Sequence, residues 1–195
     1  MKKWIIIGAI ILVVFIAYSS IKGSYNNLVI NDQAVKAQWG TVESAYQRRS
    51  DLIPNLVNTV KGYADFEKTT LTQVIEARAK ATQVTIKPEN LNAASMQQFQ
   101  AAQGQLSGAL SRLLMTVEQY PNLKANEGFL NLQAQLEGTE NRIAVERKKF
   151  NDLAQVYNTN IHAFPQLIFA KLFGFTDRDY FQADQGAQNA PKVNF

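Results

Sequence analysis

The sequence contains no cysteine and a single histidine, His162, in 195 residues. The first absence excludes disulfides, thiolate metal sites, a cysteine nucleophile and a lipid-modified cysteine. The second removes any histidine pair for metal ligation, and His162, beside Ile161 and Phe164, reads as a helix-end residue. Proline and glycine are also scarce, at five and ten residues. That scarcity favours long uninterrupted helices over a loop-rich β fold. There is no glycine-rich phosphate loop, no nucleophile elbow and no His-Glu-x-x-His. Glu137-Gly138-Thr139-Glu140 offers two carboxylates at i, i+3, but lacks the histidine of a bundle Glu-x-x-His metal site. No catalytic, cofactor-binding or metal residue is therefore expected, and the chain reads as a non-enzyme without a cofactor.

Charge of one sign is lacking as well. The formal charge is +4, but setting aside Lys2, Lys3 and Lys22 leaves 17 basic against 16 acidic residues. Such a balance gives no basic footprint for nucleic acid. Arg147-Lys148-Lys149 is one short basic cluster, and on a helix such a triplet reads as a solvated face. No small-molecule substrate is evident.

What is present begins with an apolar run. Trp4 to Ile21 is 18 residues without a charge. As a helix it would measure roughly 27 Å, close to a hydrocarbon core of about 30 Å. Lysines bracket it, and Trp4 and Tyr18 sit where interfacial aromatics are found. Residues 1–22 are read as an uncleaved membrane anchor contacting the bilayer through residues 4–21. A cleavable signal peptide, with Ala17 and Ser19 before the cut, is the alternative. Lys2 and Lys3 favour a cytoplasmic N-terminus and an exported domain, although Lys22 and Lys36 oppose them.

Residues 23–181 read as an elongated, antiparallel, up-and-down all-α bundle of about four long helices. The apolar residues recur at steps of three and four, placing one stripe of each helix against its neighbours. Leu28, Val35, Trp39, Val42 and Tyr46 mark the first; Ile53, Leu56, Val60, Tyr63, Leu71, Val74 and Ala81 the second. Phe99, Ala102, Leu106, Leu110, Leu113, Val117 and Tyr120 mark the third. Phe129, Leu136, Ile143, Phe150, Ala154, Tyr157, Ile161 and Phe164 mark the fourth. Ser50 or Asp51 is expected to cap the second helix, with Pro54 in its first turn. Pro88-Glu89 is expected to start the third, Tyr120-Pro121 to stop it, and Phe164-Pro165 to end the fourth. The apolar stretch from Leu167 to Phe175 is too short to span a bilayer. It is either a short helix over one end of the bundle or an interfacial segment resting on the membrane or a partner. Residues 182–195 read as a flexible polar tail.

Arg49, Glu67, Arg78, Glu140 and Arg147 fall on the apolar stripes. Buried charges are costly unless paired, so these five form a candidate inter-helix polar network. The alternative is a polar pocket for an ion or small acidic ligand. Gly104, Gly108 and Ser111, with Ala101, give the third helix a small-residue face, suited to close internal packing or to a partner helix.

Several strings go beyond pattern. Tyr25-Asn26-Asn27-Leu28-Val29, Arg48-Arg49-Ser50-Asp51-Leu52-Ile53-Pro54-Asn55-Leu56-Val57 and Tyr120-Pro121-Asn122-Leu123-Lys124-Ala125-Asn126 closely resemble the LemA family of bacterial membrane proteins. So do Phe129-Leu130-Asn131-Leu132-Gln133 and Thr139-Glu140-Asn141-Arg142-Ile143-Ala144. The resemblance implies an N-terminal transmembrane helix followed by a helical bundle, and brings no catalytic residues with it. Together these readings point to a non-catalytic, membrane-anchored scaffold or adaptor of the cell envelope. Its expected partners are other copies of itself or other membrane proteins. A sensory bundle that binds a ligand or ion through its inward-facing charges is the second reading.

Overall fold

The computed structural model describes residues 2–62 and 67–182. Among the described residues the chain is all-α, with six helices: α1 (Lys2–Lys61), α2 (Lys68–Gln83), α3 (Ala93–Val117), α4 (Pro121–Lys124), α5 (Glu127–His162) and α6 (Gln166–Phe173). Four of these, α1, α2, α3 and α5, build the bundle. α1 runs antiparallel along α5, and α2 lies along α3. Two apolar clusters fill the interior. One joins Trp39, Tyr46, Phe99, Phe150 and Tyr157 in the half near the N-terminal apolar run, and the other joins Leu56, Val74, Leu113 and Phe129 farther from it.

The largest departure from the expected layout is α1 itself. It is one helix of 60 residues, carrying the apolar run, the first expected segment and half of the second. No side chain between Lys2 and Gly23 is buried, and the first buried residue is Ser24. From there Leu28, Asp32, Val35, Trp39, Val42, Tyr46, Arg49, Ile53, Leu56 and Val60 are all buried, at steps of four and three in strict alternation. That is a heptad spacing whose phase never slips, so a single helix can keep its whole core stripe on α5 and α2.

Ser50 and Asp51 therefore cap nothing, and Pro54 lies inside the helix rather than in a first turn. An interior proline removes one i→i−4 hydrogen bond, here the one that would end on the Ser50 carbonyl. Arg78 on α2 replaces it: its Nε donates to the Ser50 carbonyl oxygen at 2.9 Å. The helix passes through Pro54 because a partner helix supplies the missing donor. The expected second segment is consequently divided between α1 and α2, and Tyr63 lies outside the described residues.

The third helix also starts later than expected. Pro88–Asn90 forms a separate 3-10 turn, and α3 begins at Ala93. Asn92 and Ser95 form a reciprocal capping box there, with Ser95 N–H donating to Asn92 Oδ1 at 3.1 Å and Asn92 N–H to Ser95 Oγ at 3.2 Å. Those two bonds satisfy donors that a helix start otherwise leaves open. Tyr120 and Pro121 stop α3 and open the single turn of α4, and Asn126 caps α5 by accepting from the Phe129 N–H. Phe164 is the one described stripe residue that is strongly exposed, at 82 %.

Candidate functional site: a polar cleft and a C-terminal strap

Arg49 occupies a core position of α1 and is only 2 % exposed. A guanidinium there has to find acceptors. One Nη donates to Ser107 Oγ and to Glu140 Oε2, both at 2.8 Å, and the other to Gln103 Oε1 at 2.7 Å. Its charged carbon also stands 5.1 Å from the centre of the Tyr46 ring. Three helices, α1, α3 and α5, thus converge on one cation. The Glu140 side chain is 56 % exposed, so the pair is half dry and half wet. The pair lines a cleft of about 780 Å³, whose other walls include Met96, Gln100, Arg147 and Tyr180.

The five charges singled out from the sequence are therefore distributed unevenly. Arg49 and Glu140 meet directly. Arg147 shares the cleft but donates to the Gln182 carbonyl at 2.8 Å and lies 4.9 Å over the Phe181 ring. Arg78 serves the backbone next to Arg49. Glu67 stands at the start of α2, where it accepts from the Thr70 hydroxyl. On α3, Gly104 and Ser111 are exposed and Gly108 is half-buried. A Cβ added at Gly104 would meet nothing within 4 Å. Gly104 and Ser111 thus face outward, while Gly108 lines a groove between α2 and α3.

A second polar device had no forecast. Beyond α6 the chain returns along α5 as an extended strap, described through Gln182. Asn158 Nδ2 donates to the Arg178 carbonyl at 2.8 Å and its Oδ1 accepts the Arg178 N–H at 2.9 Å. Asn151 repeats the pattern on Phe181, at 3.0 Å and 2.8 Å. Each side-chain amide thereby acts as a strand partner for one backbone unit. The spacing fits: seven helical residues advance about 10.5 Å, and three extended residues about 10 Å. The strap drives Phe181 against Trp39, 5.9 Å between ring centres, and Phe150, at 5.4 Å. Arg178 reaches Asp32 on α1 at 2.6 Å, and Lys36 holds the other carboxylate oxygen at 2.9 Å. Asp32 lies on the apolar stripe midway between Leu28 and Val35, a position that could have flagged it. Asn151 and Asn158, seven residues apart on α5, are the other signal in hindsight.

Two ionisations follow from these surroundings. The Gln38 hydrogen bond, at 2.8 Å, and Lys149 hold the Glu146 carboxyl below its ordinary range. Burial pushes the Tyr157 phenol up to about 12, with Arg178 opposing the rise, and its hydroxyl donates to the Thr176 carbonyl at 2.9 Å. His162 is exposed and paired with Asp177 at 2.8 Å.

Fold and site together define a class: an all-α chain in which a helix long and apolar enough to cross a membrane continues unbroken into a bundle closed by a clamped C-terminal strap. The chain belongs to the LemA family, whose model matches residues 38–195. It is 27% identical to magnetosome protein MamQ 2 of Paramagnetospirillum magneticum, over 91% of this chain and 71% of that protein. Protein LemA of Metamycoplasma hominis is 23% identical, over 94% of this chain and 80% of the relative. MamQ of Magnetospirillum gryphiswaldense is 27% identical, over 80% of this chain and 64% of its own length.

Proposed function

We propose that the protein is a non-catalytic scaffold anchored in the bacterial cytoplasmic membrane by residues 4–21, with its bundle exported into the envelope. The observation that carries this reading is the continuity of α1. An apolar span joined to a bundle core without a linker couples that bundle rigidly to the span and fixes its height above the membrane, which suits a platform for other proteins. The outward small-residue face at Gly104, Gly108 and Ser111 is a surface on which a second copy or another membrane protein could pack closely. The relatives named as magnetosome proteins fit an organising role of this kind.

Two measurements test the reading. Protease added to cells stripped of their outer barriers should digest the bundle while cytoplasmic markers survive; protection until lysis would reverse the topology. Cross-linking in cells, followed by mass measurement of the detergent-extracted protein, should give an assembly larger than one chain. A strict monomer with no cross-linked partner would sink the scaffold. A ligand-binding sensory bundle is the second reading, favoured by the opening of the Arg49–Glu140 pair onto a cleft. Loss of a bound anion or cation on Glu140→Gln, with the fold intact, would support it.

A further inference from the structure

Four large apolar side chains crowd one short stretch of exposed surface. Phe164 is 82 % exposed, Leu172 72 %, Ile168 56 % and Phe173 45 %. Ile168 and Leu172 are one turn apart on a single face of α6, and Phe164 stands in the turn that leads into the helix. The other side of α6 holds it to the bundle: Ala170 is buried and Phe169 packs on the core, as does Phe175 just beyond the helix.

The height of this face along α1 follows from the register. Gln38 on α1 is hydrogen-bonded to Glu146 on the antiparallel α5. Sixteen residues before Gln38 and sixteen after Glu146 bring Lys22 level with His162. The last turn of α5 therefore descends to the level where the apolar run ends, and Phe164 follows two residues later. An aromatic contact gives the same level independently: the Phe173 ring lies 4.9 Å from Tyr25, edge to face. Tyr25 is four residues past Ile21, about 6 Å along the helix. A headgroup layer occupies roughly 5–7 Å on each side of the hydrocarbon core, and amphipathic helices bury their apolar face about 5–10 Å into that boundary.

We infer that α6 with Phe164 is a second membrane contact, an in-plane foot whose Phe164, Ile168 and Leu172 enter the bilayer interface beside the span. This rests on the membrane anchoring proposed above. The bilayer is the occupant because the face stands at the level where α1 leaves the apolar phase. Lys171 and Lys22 border the patch with stems long enough to reach lipid phosphates, while the nearby Asp177 is taken up by His162. At eight residues α6 would not fold alone in water, and the bundle pre-forms it.

The absence of cysteine makes the test direct. The full chain would carry one cysteine at a time, Leu172→Cys or Ile168→Cys, labelled with the fluorophore NBD and reconstituted in phosphatidylcholine–phosphatidylglycerol vesicles. Val13→Cys in the span and Met115→Cys, exposed on α3, serve as references. The expected result is blue-shifted emission at 172 and 168, with several-fold stronger quenching by shallow nitroxide lipids than at 115. Emission and iodide quenching equal to those at 115, with 13 shielded by lipid, would overturn the foot and leave the anchor standing. Exposure of 13 itself would overturn the anchoring reading. Shielding at 172 that ignores nitroxide lipids and grows with protein density would mean a second copy covers the face, which also overturns the foot.

Discussion

Replacing Arg78 with methionine removes the Nε–H that reaches the Ser50 carbonyl while keeping most of the side chain's packing. Ser50 is 4 % exposed, so water cannot easily take the place of that donor. Stranding a buried carbonyl costs about 1–3 kcal/mol, and a bond from a charged donor lies in the upper half of that range. We expect Arg78→Met to cost about 2 kcal/mol. The origin of that cost is Pro54, and a double-mutant cycle isolates it. Pro54→Ala restores a backbone N–H able to donate to Ser50 in the ordinary i→i−4 manner. In that background Arg78→Met should cost less than about 1 kcal/mol, because the carbonyl keeps a partner. The cycle cancels whatever Pro54→Ala does alone. The assay is urea unfolding of the full chain in mild detergent, read from buried Trp39, with Trp4→Phe silencing the second tryptophan. Costs that agree within about 0.5 kcal/mol in the two backgrounds would refute the idea that Arg78 repairs the helix at Pro54.

Three further outcomes are expected. Arg49→Ala should destabilise by on the order of 3 kcal/mol, since it empties a buried site and abandons Gln103 and Ser107, whereas Glu140→Gln should cost less, because the amide oxygen can still accept from Arg49 and Glu140 is half in water; the same unfolding assay compares them. Glu146, held below its ordinary value, contributes stability that is fully present above that ordinary value and is lost as the pH falls through its lower folded value. The melting temperature of Glu146→Gln should therefore fall less steeply than that of the unmodified chain in acid. Asn151→Ala removes both bonds to Phe181 and should cost about 1–3 kcal/mol locally, seen as faster hydrogen exchange at the Phe181 amide with the amides of α5 unchanged.

The core was legible because a helix buries a stripe, and a stripe is a local pattern. Leu28, Trp39, Leu106, Phe129 and Tyr157 could each be assigned to the interior from spacing alone. Helix continuity was harder to read because its decisive interaction is not local. Ser50, Asp51 and Pro54 form a respectable start signal when only their neighbours are considered. What overrides it is a donor 28 residues away and a heptad phase that runs on through Arg49. The site divides the same way. Arg49 stood out as a charge on an apolar stripe, and Glu140 could be proposed as a partner by sign. The asparagine clamp was not read, because the seven-residue spacing of Asn151 and Asn158 gains meaning only when an extended segment is laid beside them. Phe164 was misread for a related reason: the rhythm continued, but the helix under it had ended at His162.

The unbroken α1 also has a mechanical consequence. From Ser24 to Ile53, before the proline, it extends about 45 Å beyond the apolar run. Anchored as proposed above, α1 would change tilt with the thickness of the surrounding bilayer. A rotation of only about 10° at the span would sweep that arm about 8 Å sideways. A local change in lipid composition would then be read out as lateral displacement at the far end, amplified by leverage with no rearrangement inside the bundle.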